Sequence, residues 1–193
     1  MTNNDIYYFL KRHIEPSDDM VSNFKSLLSY TELDSNQYFT KNGEHPKYFF
    51  IVKTGIMRSF VLNENGTKST RAFFTIGDVT GANSAMMRNV PSEVNYQAIT
   101  KVTGYKGDFH KLIDLTLKHK EFSLFYIKIL EDAYLKAEEI LLNVSTLTSK
   151  ERYLALQKRI PNIDNLITQR NIASYLNISP VQLSRIRKKN IGS

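Results

Sequence analysis

The hydrophobic period of the chain changes near residue 114, and this change constrains the fold more than any other feature of the sequence. Between Gln37 and about Phe109, short runs of aromatic and β-branched residues alternate with turn segments that contain Gly, Pro and Asn. Beyond about Asp114, apolar residues recur at spacings of three and four, most clearly over 122–147. The first pattern is typical of short antiparallel strands, and the second of a helix. The sequence therefore predicts an α+β protein, in which a jelly-roll-like antiparallel β-roll precedes a long helix.

Local signals support both parts of this prediction. The segment NENG between Leu62 and Thr67 has the composition of a hairpin turn. Before the roll, Ser17 is placed to cap a helix whose apolar face begins at Met20 and Phe24.

The apolar positions of the long helix form a stripe that suits pairing with a second copy of the chain. The residues predicted to lie in this dimer helix are Phe122, Phe125, Ile129, Ala133, Ala137, Ile140 and Val144. Packing of the helix against its own roll would produce the same stripe. The pattern therefore favours a homodimer but leaves that alternative open.

A second set of helix signals follows the long helix. Thr148 and Glu151 have the spacing of a capping box, which predicts a new helix that Pro161 ends. Thr168 is placed to cap another helix, and residues 176–179 form a turn after it. The start of the last helix carries a capping residue, a proline at the first helical position and a capping-box partner, which are Ser179, Pro180 and Gln182.

The last two predicted helices have the form of a helix-turn-helix unit. Leu183 and Ile186, three residues apart, are expected to face inward. The second helix of such a unit enters the major groove of DNA, so its opposite face is the candidate reading surface.

The positive charge of the chain lies at this end. Its net charge is +7, and Ser149 to Ser193 contain nine Lys and Arg against Glu151 and Asp164. The rest of the chain is therefore neutral overall. A basic module beside a neutral one is the electrostatic pattern expected of a protein that binds nucleic acid.

The order of roll, long helix and terminal helix-turn-helix resembles the Crp/Fnr family of bacterial transcription regulators. Residues 48–78 are similar to the family's cyclic-nucleotide-type β-roll, and residues 167–186 to its DNA-reading motif. The resemblance implies a sensor roll over 1–115, a dimerisation helix over 116–147 and a winged-helix-like DNA-binding domain over 148–193. It also implies a cytoplasmic homodimer that binds a palindromic site in double-stranded DNA, with RNA polymerase as a further partner.

Under this resemblance, a defined set of residues should contact DNA. They are Thr168, Gln169, Ser179, Pro180, Val181, Gln182, Ser184, Arg185, Lys188 and Lys189. Of the family's usual Arg-Glu-x-x-x-Arg in the recognition helix, only the final arginine is present, as Arg185. Val181 stands where the family typically presents a glutamate. The sequence ends soon after this helix, so the family's C-terminal strand extension is expected to be missing.

The effector pocket also departs from the family pattern. Members that bind cyclic AMP carry a Gly-Glu pair for the ribose and an Arg-Ser pair for the cyclic phosphate. The corresponding pairs are interpreted here as Gly77 with Asp78 and Ser92 with Glu93; Arg71 and Arg88 are the cations that could compensate. A carboxylate facing a phosphate is repulsive. The expected pocket is therefore degenerate or repurposed, with no required cofactor and an unknown small-molecule effector.

Other classes of protein have less support in the sequence. A metal-dependent cupin needs clustered histidines, but His13, His45, His110 and His119 are scattered, and there is no cysteine. The sequence has no catalytic motif, so an enzyme is not expected. The alternatives left open are a haem or small-molecule sensor and a ligand-binding signalling module that does not bind DNA. No apolar run has the length of a membrane span, which supports the cytoplasmic expectation.

Overall fold

The computed structural model describes residues 2–191, and the side chains of residues 2–188. The roll lies between two helical regions, and the long helix and the C-terminal helices follow it in the order that the sequence predicts. The helices are α1 (Asn3–Lys11), α2 (Asp18–Leu27), α3 (Asn83–Arg88), α4 (Phe109–Lys118), α5 (Lys120–Thr146), α6 (Ser149–Arg159), α7 (Ile163–Leu166), α8 (Gln169–Leu176) and α9 (Pro180–Ile191). The strands are β1 (Leu28–Leu33), β2 (Tyr38–Thr40), β3 (Tyr48–Thr54), β4 (Met57–Leu62), β5 (Lys68–Phe74), β6 (Val79–Thr80), β7 (Asn95–Ala98) and β8 (Val102–Asp108).

The strands form two antiparallel sheets of four strands each. The first sheet has the order β1-β8-β3-β6, and the second has the order β2-β7-β4-β5. Phe50 and Met57, from one sheet each, meet in the core cluster between them. The NENG segment forms the predicted hairpin turn between β4 and β5, where Gly66 has a left-handed backbone with φ of 75°.

The outer face of the first sheet carries the N-terminal helices and the first part of α5. Phe49 and Ile51 of β3 pack in one core cluster with Phe24 of α2 and Phe125 of α5. This packing requires glycine at position 107, because a Cβ there would lie 2.1 Å from the Phe49 ring.

The helix predicted from about Asp114 is two helices. The backbone of His119 is extended, with φ of −132° and ψ of 119°, and this residue ends α4 and precedes α5. A helix cannot continue through a residue in this conformation.

No helix within residues 2–191 is both long and apolar enough to cross a bilayer.

The C-terminal helices pack beside the second sheet, at the edge formed by β5. Ile56 and Phe73, from the β3–β4 turn and from β5, belong to the same buried cluster as Tyr153, Ile172 and other residues of α6–α9. We call the segment from α6 to α9 the head. The sequence did not predict α1, α3, α7 or the early strand β1.

Candidate nucleic-acid interface

The turn between α8 and α9 is built from the residues that the sequence pattern indicated. Thr168 Oγ1 accepts a hydrogen bond from the Asn171 amide at 3.4 Å at the start of α8. Helix α8 ends at Leu176, and Asn177 after it has a left-handed backbone with φ of 54°. Ser179 and Gln182 then cap α9 reciprocally, with distances of 2.8 and 3.2 Å between amide nitrogen and side-chain oxygen. Two short helices are thereby joined by a tight turn.

Apolar contacts decide which face of α9 is free. Leu183 is fully buried in the cluster that contains Ile172 and Leu176 of α8, and Ile186 packs against the same cluster. The opposite face of α9 lies in solvent. Val181 is 61% exposed, which excludes close packing of its side chain against α8.

Most residues predicted to contact DNA are exposed around this turn and along α9. Those classed as exposed are Thr168, Gln169, Ser179, Pro180, Val181, Gln182, Arg185 and Lys188; Ser184 is half-buried. The side chain of Lys189 lies outside the described residues. Arg170, in the first turn of α8 beside Gln169, was not in the predicted set and is also exposed; its positive charge is the sequence signal that could have included it.

Arg187 has a different environment from the other cations of α9. Its Nε lies 3.5 Å from Asp164 Oδ1, and its side chain is only 28% exposed. The other oxygen of Asp164 accepts hydrogen bonds from Tyr153 Oη at 2.6 Å and Gln157 Nε2 at 2.9 Å. Burial, with the bond to the Asp164 carboxylate, raises the pKa of Tyr153 to about 12. Arg187 therefore ties α9 to α6 and α7 instead of joining the exposed face.

The six residues predicted for the effector pocket occupy separate surroundings. The Gly77 carbonyl accepts a hydrogen bond from Arg12, the residue that follows α1, and Asp78 Oδ1 lies 3.6 Å from Lys136 Nζ of α5. Ser92 is buried, and its hydroxyl donates to the Val94 carbonyl at 2.7 Å.

The remaining three, Arg71, Arg88 and Glu93, are exposed. Among the described residues, no hydrogen bond or ion pair joins two of the six. Cavities of about 50 Å³ under α5 and about 160 Å³ beside the β2–β3 loop are lined by other residues. The grouping of the six into one pocket stays a prediction. No set of three His, Asp or Glu side chains within the described part of the chain is placed to hold a metal ion.

Helix α5 has two apolar stripes, and the predicted dimer stripe mixes them. Phe122 and Phe125 are 1% and 2% exposed, and they lie in the core of their own chain with Phe9 and Phe24. Ile129 packs against the same core. The prediction that Phe122 and Phe125 contact a second copy is wrong, because the roll and N-terminal helices cover that side of α5. For Ile129, which is half-buried, contact with a second copy stays a prediction.

The second stripe is exposed and has the spacing of a coiled coil. Its residues alternate in steps of three and four, and we call them the α5 seam: Ile127, Leu130, Tyr134, Ala137, Leu141 and Val144. Ala137 and Val144 belong to both the predicted stripe and this seam. Ala133 and Ile140, also predicted, are exposed beside it.

The comparisons with known proteins agree with this architecture. Residues 30–119 match the family model of the cyclic nucleotide-binding domain. The roll thus has the fold of a cyclic nucleotide-binding domain. No curated protein matches the chain.

Solved structures match over nearly the whole length of the chain. A predicted transcriptional regulator of the Crp/Fnr family from Eubacterium rectale has a TM-score of 0.73 and 12% identity, over 97% of this chain and 88% of that chain. FixK2 from Bradyrhizobium japonicum has a TM-score of 0.70 and 20% identity, over 84% and 83% of the two chains. The c-di-GMP responsive global regulator CLP from Xanthomonas campestris has a TM-score of 0.64 and 12% identity, over 91% and 92%. At these identities the likeness shows the fold, and the predicted α+β arrangement of roll, long helix and C-terminal helices is confirmed.

Proposed function

We propose that this chain is a homodimeric, sequence-specific DNA-binding transcription regulator of the Crp/Fnr type. The observation that carries the proposal is the face of α9 opposite the buried Leu183. That face exposes Val181, Gln182 and Arg185 near the start of the helix, and Lys188 one turn further. A helix presented in this way, after a tight turn from a shorter helix, has the form that enters the major groove.

The charges on this face divide into two roles. Arg185 carries a planar guanidinium, which matches the O6 and N7 acceptors of guanine in the major groove. Lys188 carries a compact ammonium, which suits contact with phosphates, and we propose the same role for Lys189. The net positive charge of residues 149–193 adds an attraction to any duplex that salt would screen.

The α5 seam supplies the second half of the proposal. Two copies joined along this apolar, heptad-spaced stripe would form the homodimer that the Crp/Fnr resemblance implies. In such a dimer the two α9 helices would lie about 34 Å apart, on successive major grooves of a palindromic site. A regulator of this kind would reside in the cytoplasm and also contact RNA polymerase. Its roll would receive a small-molecule effector other than cyclic AMP, since the family resemblance aligns Glu93 with the phosphate-binding pair, and a carboxylate there would repel a cyclic phosphate.

The test is a binding-selection experiment followed by two matched variants. Selection from random duplexes should yield a palindrome. Arg185→Ala should then weaken the binding free energy by about 1 to 3 kcal/mol on duplexes that carry the selected base pair at one particular position of each half-site. On random DNA the change should be small. Lys188→Ala should weaken selected and random duplexes alike, and it should lower the slope of log K against log salt by about 0.9 for each phosphate that the lysine no longer neutralises.

Lys118→Ala is the control, because it removes an exposed cation from α4, outside the head. Equal losses on selected and random DNA for Arg185→Ala would contradict its reading role. If no palindrome emerges from the selection, the proposed function itself is wrong.

A further inference from the structure

Helix α8 is attached directly to the free edge of the second sheet. The hydroxyl of Ser174 accepts a hydrogen bond from the Thr70 amide at 2.9 Å and donates one to the Lys68 carbonyl at 2.7 Å. Both partners belong to the edge strand β5. One side chain of the head therefore forms hydrogen bonds with two backbone groups of the roll. On an uncovered edge strand these groups would bond only to water.

Apolar and aromatic contacts surround this attachment. The rings of Phe73 in β5 and Tyr175 in α8 have centroids 5.0 Å apart. The Phe73 carbonyl accepts a hydrogen bond from Arg159 of α6 at 3.3 Å. The head and the roll thus share a packed interface.

Arg58 lies at this interface with an unusual set of partners. It is 6% exposed, and its Nε and Nη2 donate to Gln97 Oε1 at 3.2 and 2.8 Å. Its Nη1 donates to Asn171 Oδ1, on α8, at 2.6 Å. The Phe60 ring lies 4.4 Å from the guanidinium carbon, and Gln97 is held in turn by the Asn36 carbonyl.

No carboxylate is among these hydrogen-bonding partners of Arg58. Burial accordingly lowers the pKa of Arg58. A buried cation held by neutral amides is costly, because desolvation is offset only by hydrogen bonds. Burying Arg58 in this way is therefore expected to stabilise the fold only weakly. Its planar guanidinium instead fixes the direction of each partner to which it donates.

The covalent connection between roll and head leaves orientation to be fixed by such contacts. Helices α5 and α6 are separated by Leu147 and Thr148, both with extended backbone. A two-residue extended link can act as a pivot. Helix α9 follows α8 in any pivoting motion, because Leu183 is buried against α8.

We propose that Arg58 is a positioning residue for DNA recognition. Through Asn171 it fixes the orientation of α8, and hence of α9, relative to the roll, and so sets the separation of the two α9 helices in the dimer. Arg58 itself touches no DNA in this scheme. The inference rests on the proposed function, and it names what determines the half-site spacing that the regulator accepts.

The experiment uses full-length protein and duplexes that carry two selected half-sites, with the distance between their centres varied in single base-pair steps. Wild type should bind well at one spacing and poorly at its neighbours. Asn171→Leu removes the acceptor with little change in side-chain volume. The ratio of the affinity at a neighbouring spacing to the affinity at the best spacing should then rise by about tenfold. This is the size of effect expected for the loss of one hydrogen bond to a charged group. Affinity for a duplex with a single half-site should not change.

Asn171→Asp is the matched control, because it keeps an oxygen acceptor for Arg58 and places an acid in the first turn of α8. It should keep the narrow spacing profile of wild type. Arg58→Met removes the donor of the same hydrogen bond and provides an independent variant if Asn171→Leu does not fold, and thermal unfolding checks all of them.

The outcomes separate the possible explanations. A widened profile for Asn171→Leu and Arg58→Met, with a narrow one for Asn171→Asp, supports positioning. A uniform loss of affinity at all spacings would assign Arg58 a merely structural role and overturn the inference, as would unchanged profiles. If wild type selects a palindrome yet accepts all spacings, the inference fails while the proposed function stands; if wild type selects none, both fail.

Discussion

Val181 is the residue of α9 that most distinguishes the proposed reading face. Its side chain lies at the start of the helix and is 61% exposed, so a role in packing against α8 does not explain why valine occupies this position. Valine has no hydrogen-bonding group, and the apolar feature of the major groove is the thymine methyl. A half-site read by this chain should therefore contain A·T at the base pair that Val181 faces.

The first prediction concerns this base pair. Val181→Glu introduces an acceptor for the cytosine amino group, so preference should move toward C·G at that single position, with a change of about 1 to 3 kcal/mol in discrimination. Binding selection on both proteins measures it. Gln182→Ala is a useful comparison, since it alters a neighbouring exposed side chain of the same helix. Identical preferred sites for wild type and Val181→Glu would show that position 181 does not read sequence.

Residues that act locally were predictable from the sequence, and residues that act across the fold were not. Thr148 with Glu151, and Ser179 with Gln182, cap their helices as their spacing indicates. Arg58 gave no such signal, because its partner Asn171 lies 113 positions away in the sequence.

Helix α5 shows the same division for a whole element. Its existence and apolar character follow from the spacing of three and four. The side that faces the roll depends on Phe9 and Phe24, which belong to α1 and α2 and pack against Phe125. A stripe of apolar residues cannot indicate which of two neighbours it contacts, so the sequence merged the inner stripe with the exposed α5 seam.

The second prediction tests the seam. Tyr134→Asp with Leu141→Asp places charges at two positions that are 68% and 70% exposed in the single chain, so the fold of each copy should be preserved. Charges at seam positions oppose helix pairing. The double variant should sediment as a monomer, and its affinity for the palindrome should fall to that for a single half-site.

The control for this experiment is Leu117→Asp, in which an 81% exposed leucine of α4 is replaced outside the seam. It should sediment as wild type does. A dimer that survives both seam substitutions would place the interface elsewhere on the molecule.

At the scale of the whole molecule, the sequence indicated the parts and their order but not how they are joined. Turn segments and strand runs predicted the roll, and cap signals predicted the head. Docking of the head on β5 depends on Ile56 of the β3–β4 turn and Phe73 of β5, and nothing in the local sequence around either residue points to a distant partner. Their burial with Ile172 joins roll and head in one apolar cluster.

The last prediction follows from this shared cluster. Tyr153 lies in the head, 2% exposed, and its hydroxyl donates to the Asp164 carboxylate at 2.6 Å. Tyr153→Phe leaves that carboxylate with fewer donors, which should lower the free energy of unfolding by about 1 to 3 kcal/mol. Since the cluster spans both parts, amide protection in β4 and in α8 should fall together in hydrogen exchange.

The stabilisation by the Tyr153 hydroxyl should also depend on pH. The pKa of Tyr153 is raised from 10.0 to about 12, so wild type keeps this stabilisation below about pH 10 and loses it as pH rises through 12. The difference between the two proteins should therefore shrink in alkali. Tyr8→Phe, at an exposed position of α1, should change neither measurement. If protection falls in α8 while β4 keeps its wild-type value, roll and head unfold independently, and the shared cluster does not couple them.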